Sequence, residues 1–279
     1  MAALTLPVAE CAAQAKPVQL GMAKTFLEGQ PKSFVEIATD DFKDVMKKTT
    51  GLAGDLNARL GPLDVAEKLN AKEFDFGILH AHEFAWVQKK YPDIRPLLIA
   101  ANKNHADHAH LIVHKNNGAK SIADLRGKKL DLPLGTNEIC RMFLRKHCQD
   151  KKGLEAFFGA IVKAPAQVDA LDGVARGLTH ATVVNTSWLA FYKDVKGAVF
   201  EKNLMVLQQS EAFPAAVILF KQGGVNEATL KQFRTGLLKS HTLVEGRDMM
   251  KSWNIEAFEA PPKDYDKRLA EVLKAYPMP

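Results

Sequence analysis

Short apolar runs of strand length alternate with amphipathic helical segments along most of the chain, and the alternation occurs twice. This pattern narrows the fold more than any other feature. A strand–helix–strand unit buries its apolar faces only when its strands share a sheet and its helices pack over that sheet. In the first set, a strand is expected over 18–26. Phe34, Ile37, Phe42, Val45 and Met46 then recur at helical spacing within 31–49. A weak strand over 52–60 follows, then a helix over 63–71 behind Pro62, a residue suited to a first helical turn. A strand over 74–79, a helix over 83–90 and a strand over 94–101 complete the set. The second set places strands over 109–114, 128–132, 160–163 and 181–185, and helices over 136–149, 167–176 and 187–192. Strands over 204–207 and 216–220 come next, and the chain from Asn226 onward is expected to be mainly helical. The expectation is an α/β protein with two mostly parallel sheets, each flanked by helices. Ligands on such sheets bind at the carboxyl ends of the strands, so two facing sheets would enclose a cleft.

Composition bounds the class. With 279 residues, 47% of them hydrophobic and 25% charged, the chain resembles an ordinary globular protein long enough for two moderate domains. The net charge is +6, but lysines and arginines are interspersed with acids and cluster only in pairs such as Lys47-Lys48 and Lys89-Lys90. That is a solvated surface rather than a nucleic-acid stripe. Cys11, Cys140 and Cys148 are an odd number without a CxxC spacing, which argues against a disulfide framework or a zinc knuckle. Cys140 and Cys148 lie eight residues apart on an expected helix, about 12 Å, too far for a disulfide. Residues 2–15 are small and apolar and end in Ala13-Gln14-Ala15, an A-x-A cleavage pattern. This makes 1–16 a leader or signal remnant. Val8-Ala9-Glu10-Cys11 has the outline of a lipoprotein box, with Glu10 a poor fit, so a lipid anchor stays open. No run reaches the ~18 apolar residues of a membrane span. No P-loop, GxSxG, HExxH or GxGxxG sequence is present.

Several segments, in order, resemble one family. Ser121-Ile122-Ala123-Asp124-Leu125-Arg126-Gly127-Lys128 follows the apolar run Leu111–Lys115. It resembles the S-x-x-D-L-x-G-K turn that opens the second lobe of type II periplasmic solute-binding proteins. Ser121 and Asp124 there have the spacing of a capping box. Asp169–Gly177 and Ala181–Asn185 resemble the helix and strand that follow in that class, Gln209–Pro214 its return to the hinge, and Phe74–Leu79 its first-lobe strand. Together they are most similar to the phosphate/phosphonate branch of ABC-importer binding proteins. The resemblance implies a two-lobe fold joined by two hinge crossovers, with 17–110 plus 214–279 as one lobe and 111–213 as the other. It also implies a monomer, without enzymatic activity or cofactor, lying in the periplasm or otherwise outside the cytoplasm. Such a protein would close on a small, phosphate- or phosphonate-like anion and pass it transiently to an ABC permease. It would not bind nucleic acid.

Candidate ligand-binding residues follow from where the strands end. The turn Gly135-Thr136-Asn137-Glu138 opens a helix, whose free N–H groups and dipole attract anions. The same turn also reads as plain capping. Glu138, if it faced the cleft, would repel a dianion and favour an amine or a metal. His80 and His82 follow the 74–79 strand, spaced to share a face on extended backbone. Lys24 and Thr25 end the first strand. Asn185 and Ser187 end a second-lobe strand, and Glu211 lies near the hinge. His105, His108 and His110, with Asp107 among them, form a second cluster, which raises a metal reading. Alternatives to transport are a ligand-sensing input module for a signalling partner, a metal or metal-chelate binding protein, and an enzyme on the same lobes.

Overall fold

The computed structural model describes residues 16–28, 30, 32–102, 106–148, 153–253 and 255–278. Cys11 and residues 1–15 of the leader lie outside these residues, as does His105. The chain runs through β1 (Val18–Ala23), β2 (Gly54–Leu60), β3 (Phe76–Leu79) and β4 (Ile94–Ala101), then crosses over at β5 (Ala106–Asp107). It continues through β6 (Ala109–His114), β7 (Lys129–Asp131), β8 (Ala160–Val162), β9 (Ala181–Asn185) and β10 (Leu204–Gln209). It returns through β11 (Phe213–Pro214) to β12 (Ala216–Lys221) and β13 (Ala257–Glu259). The first sheet has the order β13-β4-β12-β3-β1-β2, the second β10-β6-β9-β7-β8, and β5 pairs with β11 between them. These are two α/β lobes joined by two adjacent crossovers.

The sheets are mixed in direction. β1 pairs parallel with β2 and β3, whereas β12 runs antiparallel to β3 and β4, and β13 antiparallel to β4. In the second sheet β7 pairs parallel with β8 and β9, and β6 antiparallel with β9 and β10. The crossovers explain this departure from a mostly parallel pattern. β1, β3 and β9 run towards the hinge side and end there, while β6 and β12 start from the hinge and run away from it.

Apolar side chains at strand and helix spacing meet where the sequence pattern puts them. Phe76 of β3 stacks on Phe233 of the Glu227–Leu238 helix at 3.8 Å, and both are fully buried. Each such side chain contributes about 1.5–3 kcal/mol through burial. Gly21 of β1 lets its neighbours close in, since an added Cβ would lie 2.5 Å from the Phe74 ring. One buried cluster runs continuously from Leu79 and Phe84 through Ala109 and Phe213 into Leu111 and Phe143. The hinge is therefore packed with apolar groups on its buried side.

Four details differ from the sequence expectation. The first strand stops at Ala23 and continues as a 3₁₀ turn over Lys24–Phe26. The helix expected over 187–192 extends over Thr186–Asn203, with a break at Lys196 (φ −137°, ψ 35°). β13 interrupts the helical C-terminal region. The crossover pair β5 and β11 is too short for periodicity to show. The capping box at Ser121 is present, with Asp124 Oδ2 accepting from both the Ser121 backbone and hydroxyl at 2.9 and 3.0 Å. Cys140 and Cys148 are buried free thiols, raised above the ordinary thiol range by burial. Among the described residues no helix is long and apolar enough to cross a membrane.

Candidate ligand-binding site

A cavity of about 300 Å³ lies between the lobes, bounded by the ends of β1, β3 and β9, the first turn of the Glu138–His147 helix, and the hinge strands. This is where strand carboxyl ends converge, the usual site on open α/β sheets.

The first-lobe wall follows β1 and β3. His80 is the N-cap of the Ala81–Gln88 helix, and its backbone N–H donates to Glu83 Oε2 at 2.9 Å. Glu83 Oε1 accepts from the Thr25 hydroxyl at 2.6 Å. One buried carboxylate thus ties the end of β1 to the start of this helix. Burial pushes Glu83 up to about 7, against the lowering effect of those two hydrogen bonds. The His80 ring stacks on Phe26 at 3.7 Å and lies 5.4 Å from His82. Burial holds His80 down at about 4, although Glu138 and Asp107 pull the other way. Burial also holds His82 well below the usual histidine range, reinforced by His80 and Arg145. Both imidazoles are neutral at physiological pH. Their Nε2 atoms are sealed and have no hydrogen-bond partner among the described residues.

The second-lobe wall is built from two helix starts. Asn137 caps the Glu138–His147 helix by accepting from the Ile139 N–H at 3.1 Å. The Thr136 hydroxyl donates to the Pro133 carbonyl. Gly135 adopts φ +66°, and a Cβ there would lie 2.8 Å from Nε2 of Gln30. Gln30 belongs to the first lobe, so at this point the backbone of one lobe meets a side chain of the other. At the second start, the Asn185 side chain accepts from the Trp188 N–H at 3.2 Å and donates to Asp107 Oδ2 at 2.9 Å. Asp107, on hinge strand β5, also accepts from the His108 and Thr186 N–H groups at 2.9 and 3.0 Å.

Of the sequence candidates, Thr25, His80, His82, Gly135, Thr136, Asn137, Asn185 and Ser187 are brought to this one cavity. Lys24 is exposed and stands apart from its lining. Glu138 pairs with Arg145. Glu211 pairs with Lys146 and accepts from the Tyr276 hydroxyl at 2.7 Å. His108 and His110 are engaged elsewhere, by the Ser210 carbonyl at 3.0 Å and the Thr186 hydroxyl at 3.1 Å. Among the described residues no group of three or more His, Cys, Asp or Glu side chains is placed to hold a metal. Sequence reasoning did not single out Phe26, Gln30, Trp188 or Trp253, which also line the cavity. Nor did it separate Asp107 from the histidines around it. The available signal was its position in the linker between two apolar strands.

Comparison with known proteins agrees with this architecture. A family model of ABC transporter, phosphonate, periplasmic substrate-binding proteins matches residues 30–265. No curated protein matches the chain significantly. Among solved structures, PhnD1 from Prochlorococcus marinus in complex with methylphosphonate aligns at TM-score 0.61 and 12% identity, over 93% of this chain and 97% of its own. The binding-protein component of an ABC phosphonate transporter from Pseudomonas aeruginosa aligns at 0.60 and 12%, over 92% and 85%. A Xanthomonas citri protein bound to ATP aligns at 0.59 and 15%, over 93% and 96%. At such identities these likenesses show the fold alone. The family is one of extracytoplasmic solute-binding proteins that work with a membrane permease and are not in general enzymes. The chain belongs to the family of periplasmic substrate-binding proteins of ABC phosphonate transporters.

Proposed function

We propose that this protein captures a small solute between its lobes and delivers it to an ABC permease in the membrane. The observation that carries this reading is a single cavity walled by both lobes and backed by a two-strand hinge. Its ~300 Å³ is at the small end of ligand pockets. Closing the lobes on a solute would complete its hydrogen bonds, and a permease would read the closed state. Thr25, His80 and His82 from the first lobe, and Gly135, Thr136, Asn137, Asn185 and Ser187 from the second, are the proposed contacts.

A phosphonate-like anion would sit at the Gly135–Asn137 turn, against the positive end of the helix dipole. The lining offers such an anion little more. Among the described residues no lysine or arginine lines the cavity, and both imidazoles are neutral. The geometry therefore supports solute capture more strongly than it supports a dianion as the solute.

Native mass spectrometry of freshly purified protein, followed by small-angle scattering with whatever molecule is retained, tests the reading. A retained small molecule that shrinks the radius of gyration is expected. A protein that carries nothing, and does not compact with any solute in a broad metabolite screen, would remove the proposal.

A further inference from the structure

The lining of the cavity identifies a class of ligand more closely, given that the cavity holds a solute as proposed above. Asp107 stands at the hinge end of the cavity, and among the described residues no cation pairs with it. A carboxylate has about four lone-pair positions. Asp107 uses two on Oδ1, for the His108 and Thr186 N–H groups, and one on Oδ2, for the Asn185 amide. Among the described residues these three donors fix the group and leave one position open on Oδ2. Glu28 is a second acid on the lining.

Aromatic rings come to the same space from both lobes. Phe26 lies stacked on His80 and meets Trp253 edge-on at 6.5 Å. Trp188 comes from the second lobe, in the first turn of the helix that Asn185 caps, and is 37% exposed. Aromatic rings and a carboxylate on one cavity lining suit an organic cation, because ring quadrupoles favour positive charge over their faces and the carboxylate supplies the counter-ion. An oxyanion beside Asp107 would meet a like charge.

We propose that the cavity selects a small organic cation, with its ammonium head at Asp107 and its alkyl groups against Phe26, Trp188 and Trp253. The neutral state of His80 and His82 fits, since neither adds a positive charge that would compete with the ligand. The Gly135–Asn137 turn then serves a polar group at the ligand's other end.

Tryptophan fluorescence titration and calorimetry test this with four probes: choline, ethanolamine, methylphosphonate and inorganic phosphate. Saturable binding of an ammonium probe is expected. D107N should weaken it about tenfold or more, the loss typical of a desolvated charge partner. W188L, at a partly exposed position where folding is not at risk, should weaken it about twofold to fivefold. Thermal melts verify that each variant is folded. Binding of methylphosphonate or phosphate with no response to either ammonium probe would overturn this ligand class and leave solute capture standing. So would ammonium binding that neither substitution changes. If all four probes fail, the molecule retained in native mass spectrometry decides. A retained ammonium compound supports the class, and a retained compound without one overturns it. If nothing is retained, the solute that compacts the protein in the metabolite screen decides in the same way, and a protein that also compacts with none takes the solute-capture reading down first, and the ligand class with it.

Discussion

Asn185 donates its side-chain amide to Asp107 at 2.9 Å while its amide oxygen caps the Trp188 N–H at 3.2 Å. One side chain thus joins the hinge carboxylate to the first turn of a second-lobe helix. Replacing it removes two separate interactions. The lost cap costs about 1 kcal/mol, and the hydrogen bond to a charged group about 1.5–3 kcal/mol. N185A should therefore be destabilised by about 2.5–4 kcal/mol in urea unfolding, with an unchanged m-value. N185D keeps the capping oxygen but sets a like charge against Asp107, so it should also fall below the wild type at pH 7. An N185A protein within about 0.5 kcal/mol of the wild type would show that the bridge has no energetic weight.

Gly135 and Gln30 provide a test of closure. At φ +66° an alanine costs about 1 kcal/mol in backbone strain. Its Cβ would also press on the Gln30 amide, 2.8 Å away across the lobes. These two effects are separable. G135A should lose stability by about 1 kcal/mol and should also bind solute more weakly, with a larger radius of gyration in the liganded state. Adding Q30A should restore the binding and the compaction but not the stability. If Q30A restored neither, the contact would not limit closure.

A second link between the lobes lies outside the cavity. Glu211 near the hinge accepts from Tyr276 at 2.7 Å, after the last helix of the first lobe, and pairs with Lys146 on the Glu138–His147 helix. Lys146 Nζ also lies 4.7 Å from the Tyr276 ring centroid. Burial alone would raise the Glu211 carboxyl, but the hydrogen bonds from Lys146 and Tyr276, with the Lys146 charge, outweigh it and hold the group at about 2. Because the folded value is depressed, the stabilisation is present above the ordinary carboxyl range and is lost as pH falls towards 2. Glu211 is partly exposed, so solvent screening keeps the pair to about 1 kcal/mol or less. E211Q should show a loss of that size at pH 7 that shrinks to nothing at pH 2, measured by chemical denaturation. A loss that stays constant across this range would mean that shape rather than charge holds the contact.

The two-set alternation of strands and helices was legible because apolar periodicity reports which faces are buried, and both sheets follow from it. The turns after β1 and β3 and at the start of the Glu138–His147 helix were legible for the same reason, since strand ends converge in this architecture. Three things were not. β5 and β11 have two residues each, too few for a period, so Asp107 read as one member of a histidine-rich loop. Trp188, Trp253 and Phe26 look in sequence like any other amphipathic aromatic, and only the meeting of the two lobes gives them a common space. Glu138 and Glu211 stood at suitable places along the chain, but which carboxylate turns to the cavity and which to Arg145 or Lys146 depends on side-chain partners that strand order does not reveal.

Buried groups in the two lobes make opposite contributions to the pH dependence of folding. His80 and His110 are both held at about 4 by burial, so the folded protein resists protonation that the unfolded chain accepts near 6.5. Their contribution is complete above pH 6.5 and is lost as pH falls through 4. Glu83 is raised to about 7 from an ordinary value of 4.5. Its contribution is complete below 4.5 and is lost as pH rises through 7, about 3 kcal/mol in all. In the window from 4.5 to 6.5 these slopes oppose each other, and one mutation separates them. In E83Q the amide can still accept from the His80 N–H and pair with the Thr25 hydroxyl, but it cannot ionise. The stability of E83Q relative to the wild type should be flat below pH 4.5, then rise in favour of the variant up to about pH 7 and level off. With the Glu83 slope gone, the variant's own stability should climb more steeply from pH 4.5 to 6.5 than that of the wild type. Urea midpoints measured at half-unit intervals from pH 4 to 8 give both curves, and a difference that does not change with pH would mean that burial leaves the Glu83 carboxyl at its unfolded value.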